Sequence, residues 1–250
     1  MRCLQANVQS LNTSKVLLEL AIQRHQPDVL LLQEIWHPKE VSRIKDFVVS
    51  SIKTRKDRCG GGVAIYIHKN VKFVPLPQYE VDGLEAVWAE VMCNHVRLVV
   101  GSVYVPLGEF KQMKLFGEQL SIICKQNSNV MVGMDANARN LLWDDNLMAS
   151  QYGASRRMGD LLNEFLDCSC LQILNDGTPT YITESSRSAL DITACKCNQP
   201  TKWKVVDDDI RSDHRVIITE VGADRPAERI TVKIGNRWIG KNINRNALQS

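Results

Sequence analysis

Short apolar runs, each closed by turn-forming or charged residues, alternate along this chain with stretches whose apolar positions recur at helical spacing. Arg2–Asn7 reads as a first strand leading into a polar turn at Gln9–Ser14, after which Val16, Leu17, Leu20 and Ala21 mark a helix to about His25. Pro27-Asp28 ends that helix. Val29-Leu30-Leu31-Leu32 follows as a continuous apolar run, the signature of a strand covered on both faces. Gly60-Gly61-Gly62 introduces a strand at Val63–Ile67, and Glu85–Met92 and Val96–Tyr104 predict two more, the second closing at Tyr104-Val105-Pro106.

Phe110, Met113, Leu115, Phe116, Leu120 and Ile123 predict a helix before a strand at Val130–Val132. Met158, Leu161, Leu162, Phe165 and Leu166 predict another, with Arg157 and Asp160 on its polar side. Short strands are expected near Leu171–Leu174, Pro179–Ile182, Leu190–Ala194, Trp203–Val206 and Arg215–Val221. Helical crossovers mixed with strand-rich stretches predict an α/β protein of two packed sheets flanked by helices. No repeat, low-complexity tract or interdomain linker interrupts residues 1–221, which are expected to form one domain. Beyond Val221 the hydrophobic pattern fades into a basic, Asn-rich segment, 222–250, read as a C-terminal extension or linker.

The ends of the apolar runs carry the candidate chemistry. Glu34 closes one run, Asp135 another, and Ser212-Asp213-His214 stands at the front of Val216-Ile217-Ile218. Acidic groups at the ends of three separate strands are how an α/β protein assembles a metal site at one sheet edge. Asp135 and Asn137 lie two residues apart, so on an extended segment both point to one face.

Composition limits the alternatives. The 250 residues are 44% hydrophobic and 24% charged, ordinary values for a globular domain with a sizeable core. A net charge of +3 permits binding to a polyanion without demanding it. No apolar stretch reaches membrane-spanning length and the N-terminus lacks a signal peptide's apolar core, so no membrane association is expected. The eight cysteines then read as reduced thiols of an intracellular protein. Cys168-Ser-Cys170 and Cys195-Lys-Cys197 have one intervening residue where zinc sites have two to four, and no histidine pair accompanies them. His25, His37, His68 and His95 read as ordinary surface or core residues.

In chain order the polar residues at strand ends are Asn7, Glu34, Tyr104, Asp135, Asn137, Thr180, Asp191, Asp213 and His214. This order and spacing resemble the exonuclease–endonuclease–phosphatase superfamily, which includes the apurinic/apyrimidinic endonucleases and DNase I, over roughly Arg2 to Val221. Several segments sharpen the resemblance: Gly133-Met-Asp-Ala-Asn-Ala138 with Leu142-Trp143, Ser186-Arg-Ser-Ala-Leu-Asp191-Ile-Thr193, Trp203-Lys-Val-Val-Asp-Asp208 and Gly60-Gly-Gly-Val-Ala-Ile65. Together they are similar to the endonuclease domain of insect-type non-LTR, LINE-like retrotransposons. Two positions depart from the superfamily pattern. Gln9 stands where its first motif carries a second Asn or Asp, and the glycine before the motif aspartate is displaced to Gly133.

The resemblance implies a DNase I-like four-layer α/β sandwich that nicks chromosomal double-stranded DNA, leaving a 3′-hydroxyl to prime reverse transcription in the nucleus. It implies a Mg2+ cofactor, with Mn2+ able to substitute. It also implies a reverse transcriptase domain in the same polyprotein, with the isolated nuclease domain a monomer. Glu34, Asp213 and Asn7 are the implied metal residues. Asp135 would orient or deprotonate the water and Asn137 would fix it. His214, held by Asp191, would contact the scissile phosphate together with Tyr104. Thr180, Arg139, Arg156, Arg157, Lys202 and Lys204 are candidates for DNA contact, the basic residues from loops flanking the edge. The Asp191–His214 pairing is expected if their two strands are neighbours. The competing readings are a small-molecule phosphoesterase on the same metal core and a binding module on a decayed nuclease fold; the intact polar set argues against the latter.

Overall fold

A computed structural model of the chain describes residues 1–36, 43–55, 59–93, 96–148, 153–222, 231–234 and 237–240. His37 and His95 lie outside the described residues. The chain opens with β1 (Arg2–Asn7), α1 (Leu11–His25), β2 (Val29–Gln33), β3 (Phe47–Lys53), β4 (Val63–His68) and β5 (Phe73–Pro75). It continues through β6 (Glu85–Cys93), β7 (Val96–Tyr104), α2 (Phe110–Gln126), β8 (Val130–Asp135) and α3 (Ala154–Cys168). Then come β9 (Gln172–Ile173), β10 (Tyr181–Ile182), β11 (Arg187–Ser188), β12 (Asp191–Lys196), β13 (Thr201–Val206) and β14 (Val216–Val221).

Two six-stranded mixed sheets result, ordered β13-β14-β1-β2-β4-β3 and β5-β6-β7-β8-β12-β9. The burial clusters define four layers. Leu11, Leu18 and Ala21 of α1 pack on Leu4, Ala6, Leu30, Leu32, Ala64 and Tyr66 of the first sheet. Met113, Phe116, Leu120 and Ile123 of α2, with Met158, Leu162 and Leu166 of α3, cover the outer face of the second sheet. Between the sheets lie Cys3, Leu31, Ile65, Val87, Val100 and Met131. The sandwich expected from the sequence is the observed fold.

The helix α1 begins at Leu11, inside the segment read as a polar turn, because Leu11 and Ser14 are buried against the first sheet. β3 and β5 carry no sequence expectation. β3 is an edge strand with Ser50-Ser51 at an irregularity in its pairing, so it lacks the clean period-two alternation that marks a half-buried strand. Within 222–250, the segment read only as an extension, β15 (Thr231–Ile234) and β16 (Arg237–Gly240) pair as a hairpin.

Strand alternation sorts the inward rows of the sandwich by polarity. Along β1 the residues facing the other sheet are Cys3, Gln5 and Asn7; along β8 they are Met131, Gly133 and Asp135; along β12, read backwards, Cys195, Thr193 and Asp191. Each row runs from an apolar residue to a polar or ionisable one, toward the same edge. The middle of the gradient is a hydrogen-bonded layer. Gln5 Nε2 donates to Met134 O at 3.2 Å, and Thr193 Oγ1 donates to Gln5 Oε1 at 2.9 Å while accepting from Trp203 Nε1 at 2.9 Å. Gln33 Nε2 donates to Ser102 Oγ at 3.0 Å. Gly133 makes room for this layer, since a Cβ there would lie 2.6 Å from Gln5 Oε1 and 2.9 Å from Leu31 Cδ1.

Candidate active site

The register places Tyr104 beside Asp135 and Asp135 beside Asp191, so three inward-facing residues line up across the end of the second sheet. Asn7 and Gln33 are paired at the corresponding end of the first. Asn7, fully buried, bridges the two layers: its Nδ2 donates to Asp135 Oδ2 at 2.8 Å and to Glu34 Oε1 at 3.2 Å, and its Oδ1 accepts from Gln9 N at 3.1 Å. Asp135 Oδ1 accepts from the amide of Asn137 at 3.1 Å, and Asn137 Nδ2 donates to Val105 O at 3.2 Å. Glu34, half-buried, also accepts from Trp36 Nε1 at 3.3 Å.

Backbone strain gathers at this edge. Gln9, Ser10, Glu34, Trp36 and Asn137 all have positive φ. Left-handed conformations in non-glycine residues cost about 1–3 kcal/mol each and persist where surrounding bonds over-determine them. Here Val8 N donates to Gln33 O, Ser10 N to Glu34 O and Leu11 N to Ile35 O, lacing the turn after β1 to the turn after β2.

His214 Nδ1 lies 2.7 Å from Asp191 Oδ2, and its Nε2 faces Asp135 Oδ2 at 4.0 Å. The partners do not sit on neighbouring strands, as the sequence reading supposed. Asp191 opens β12 in the second sheet and His214 precedes β14 in the first, so the pair closes across the mouth of the sandwich. Local bonds steer both residues. Ser212 Oγ donates to Asn7 O at 2.8 Å and accepts from His214 N at 3.1 Å. The Tyr181 ring meets the imidazole edge-on at 4.9 Å, and Arg215 N donates to Thr180 O at 2.7 Å.

These environments set the protonation states. Burial pushes the Asp135 carboxyl up to about 7, with Asp191 adding to the shift and His214, Asn7 and the Asn137 amide opposing it. At His214 burial works against the charge, but attraction and hydrogen bonding to Asp191, helped by Asp135 and Glu34, outweigh it and raise the imidazole to about 9. The Tyr104 phenol is held far above its usual range by burial, then by Glu34 and Asp135, with Arg55 pulling the other way.

Asp135, Asp191 and His214 form a group with ligand atoms within 4.8 Å of one another. Asp191 Oδ1 is buried without a partner. The Glu34 and Asp135 carboxylates, brought together on Asn7 with the unsatisfied oxygen of Asp191 nearby and no thiol among them, fit a hard, oxygen-seeking divalent cation. Among the described residues the cysteines are free thiols and join no group able to hold a metal.

Several expected site residues are placed differently. Asp213 is exposed and outside the converging group: with His214 turned inward, its neighbour is left on the solvent side, its amide taken by Gln9 Oε1 at 3.3 Å. Thr180 is fully buried. Its Oγ1 accepts from the amides of Leu190 and Asp191, so it shapes the turn that aims Asp191. Lys202 and Lys204 sit on β13 and not in loops, and Lys202 pairs in register with Glu220, beside Arg2 at the end of β1 away from Asn7. Five residues of strand put that end roughly 17 Å from the site.

Arg139, Arg156 and Arg157 do lie beside it, where Ser155 Oγ donates to Asn137 O at 2.8 Å and brings the start of α3 to the edge. Arg139 is committed to buried Asp144 at 2.5 Å and Arg156 to Asp160 at 3.0 Å, while Arg157 is exposed with its guanidinium over the Phe110 ring. The sequence reading gave no site role to Gln5, Gln33, Ser212 or Tyr181. Gln5 had a signal: a polar residue in the inward phase of β1, between Cys3 and Asn7.

Two stacked sheets with polar residues gathered at one edge form the fold shared by the solved nuclease structures to which this chain is similar. Residues 98–218 match the family described as Endonuclease-reverse transcriptase. Among solved structures, the endonuclease domain of TRAS1, a telomere-specific non-LTR retrotransposon, has a TM-score of 0.73 at 23% identity, covering 88% of this chain and 97% of its own. The catalytic domain of Xenopus laevis APE2 has a TM-score of 0.67 at 13% identity (90% and 94% covered), and a 3′-5′ exonuclease of Neisseria meningitidis 0.64 at 14% (89% and 100%). No curated protein matches the chain in sequence.

Proposed function

We propose that this chain is a divalent-metal-dependent endonuclease domain of a LINE-like, insect-type non-LTR retrotransposon. It nicks chromosomal double-stranded DNA by phosphodiester hydrolysis and leaves a 3′-hydroxyl that primes reverse transcription in the nucleus. The observation that carries this reading is the closure of Asp191 on His214 across the sandwich mouth, within reach of Asp135, Asn7 and Glu34. Residues 1–221 are the nuclease, active as a monomer, and 222–250 lead toward a reverse transcriptase domain of the same polyprotein.

Glu34 and Asn7, with Asp213 at the rim, would hold magnesium, or manganese in its place. Bound there, the cation would polarise a phosphoryl oxygen and acidify a coordinated water. Asp135, oriented by Asn7 and the Asn137 amide and facing His214, accepts the proton of the attacking water. Asn137 fixes that water. His214, kept cationic by Asp191, donates from Nε2 to the scissile phosphate as negative charge builds on it, and the Tyr104 phenol donates to the same group. Arg157 and Arg156, in the first turn of α3, contact the DNA backbone, with Arg139 bracing that turn.

Supercoiled plasmid supplies the test. Nicking that needs magnesium or manganese, stops with EDTA and generates extendable 3′ ends is expected. Activity that survived chelation or required zinc would overturn the metal assignment. Hydrolysis of inositol phosphates without nicking would favour the small-molecule phosphoesterase. Weak DNA binding should survive Glu34→Ala and weaken with added salt.

A further inference from the structure

The ion pair of Arg55 and Glu85 approaches the site from a side that the mechanism above leaves unused. Arg55 lies just past β3, and Glu85 opens β6 directly beside Tyr104 in the register. Arg55 Nε donates to Glu85 Oε1 at 2.7 Å, with Nη2 2.5 Å from the same oxygen; only 14% of the arginine side chain and 10% of the glutamate are exposed.

Two contacts lead from the pair into the site. The guanidinium carbon stands over the Tyr104 ring, 5.6 Å from its centre. On the other side, Glu85 Oε2 accepts from Gly62 N. The carbonyls of Gly61 and Gly62 accept in turn from Trp36 N at 2.9 Å and Ile35 N at 3.3 Å, the two amides that follow Glu34. Gly61 and Gly62 both have positive φ, and a Cβ on Gly61 would run into Arg55 and Glu85. The glycine run is therefore seated on the pair, and the Glu34 turn is seated on the glycines.

Buried ion pairs are a poor source of stability, because desolvation offsets their attraction and apolar residues of similar volume are often as good. What such residues would not reproduce is the planar cation on the Tyr104 ring and the acceptor on Gly62 N. We propose that the Arg55–Glu85 pair is a positioning element of the catalytic edge, fixing the Tyr104 ring directly and the Glu34 turn through Gly61 and Gly62. This rests on the reading of Tyr104 and Glu34 as phosphate and metal groups. Arg55 acts through those two residues and is not itself one of the reacting groups.

The test replaces both partners, Arg55→Met with Glu85→Leu, in the full 250-residue chain. Melting temperature and circular dichroism should stay near wild type. The kcat for plasmid nicking should fall at least tenfold with KM unchanged, and the fall should shrink when Tyr104→Phe is already present. Amide exchange at Ile35 and Trp36 should quicken. Nicking at the wild-type rate overturns the proposal. So does a loss that leaves those amides unchanged and multiplies with Tyr104→Phe. If the double variant does not fold, Arg55→Lys decides: it keeps the charge without the planar fork, so a kcat loss at constant KM supports the proposal and full activity sinks it. A wild-type chain that nicked nothing would defeat the nuclease reading, and amide exchange alone would then decide whether the pair holds the Glu34 turn.

Discussion

His214 and His25 each lie against a buried carboxylate, Asp191 for the first and Asp208 for the second, and the two pairs sit in opposite circumstances. His25 ends α1 and uses Nε2 to reach Asp208 in the β13–β14 connection, where Arg24 shares the same carboxylate and Arg2 Nη1 donates to the His25 carbonyl. That cluster ties a helix end to a loop, and its charges are neutralised internally. His214 spends Nδ1 on Asp191 and leaves Nε2 aimed at Asp135 across 4.0 Å, at a mouth lined by Glu34 and Tyr104. A histidine–carboxylate contact is thus common structural glue. It becomes a candidate for chemistry when the second ring nitrogen faces an unneutralised acceptor that a substrate can reach.

The sharpest way to break this contrast is to remove both rings. His214→Ala should lower plasmid nicking by about 10²–10⁴-fold, the range of a positioned acid–base group. His25→Ala should leave the rate unchanged. Equal losses would mean that neither pair is special. Next in size is Asp191→Asn, which leaves the ring without its anchor. The double variant with His214→Ala should be scarcely slower than His214→Ala alone, because paired groups act as a unit; multiplicative losses would dissolve the pair.

The pH–rate profile sharpens the comparison further. Wild type should keep the His214 contribution until pH approaches 9, whereas in Asp191→Asn the loss should set in nearer the ordinary histidine value of about 6.5. Indistinguishable alkaline limbs would detach the charge on His214 from catalysis. Stability should follow the same group. Because its pKa is raised on folding, its contribution is fully present below pH 6.5 and is lost as pH climbs to about 9. Metal-free protein should therefore melt progressively lower across that window, and His214→Ala should flatten the slope. The smallest effect belongs to His25→Gln: about 1 kcal/mol for the hydrogen bond, or roughly 2–4 °C in melting temperature for a chain of this size, with nicking intact.

The five strands that carry the inward polar rows at the mouth, β1, β2, β7, β8 and β12, were legible because they are buried on both faces and read as apolar runs interrupted at their ends. Residues whose roles depend on direction were not. Thr180 reads like any β-branched strand residue, and whether its hydroxyl meets DNA or the Asp191 amide depends on the β10–β11 turn folding back. Lys202 and Lys204 sit close in sequence to the Asp208–His214 segment, but β13 is extended, so Lys202 pairs with Glu220 at the end of the sheet away from Asn7. Arg55 and Glu85 stand thirty positions apart. Neither lies in a motif, since their relation is created by the β6–β7 register and a glycine turn.

By itself, the sequence determined the layered α/β fold and the identity of the groups at the strand ends, because burial on two faces imposes a continuous apolar pattern and only a mouth at the sheet edges can hold ionisable residues. Tertiary structure alone decided how those groups pair. Asp191 and His214 meet because two sheets stack, held by a buried amide layer at Gln5 and Gln33, and not because their strands adjoin. Such pairing depends on the distance between layers and on which way each turn faces, quantities that one-dimensional spacing does not contain.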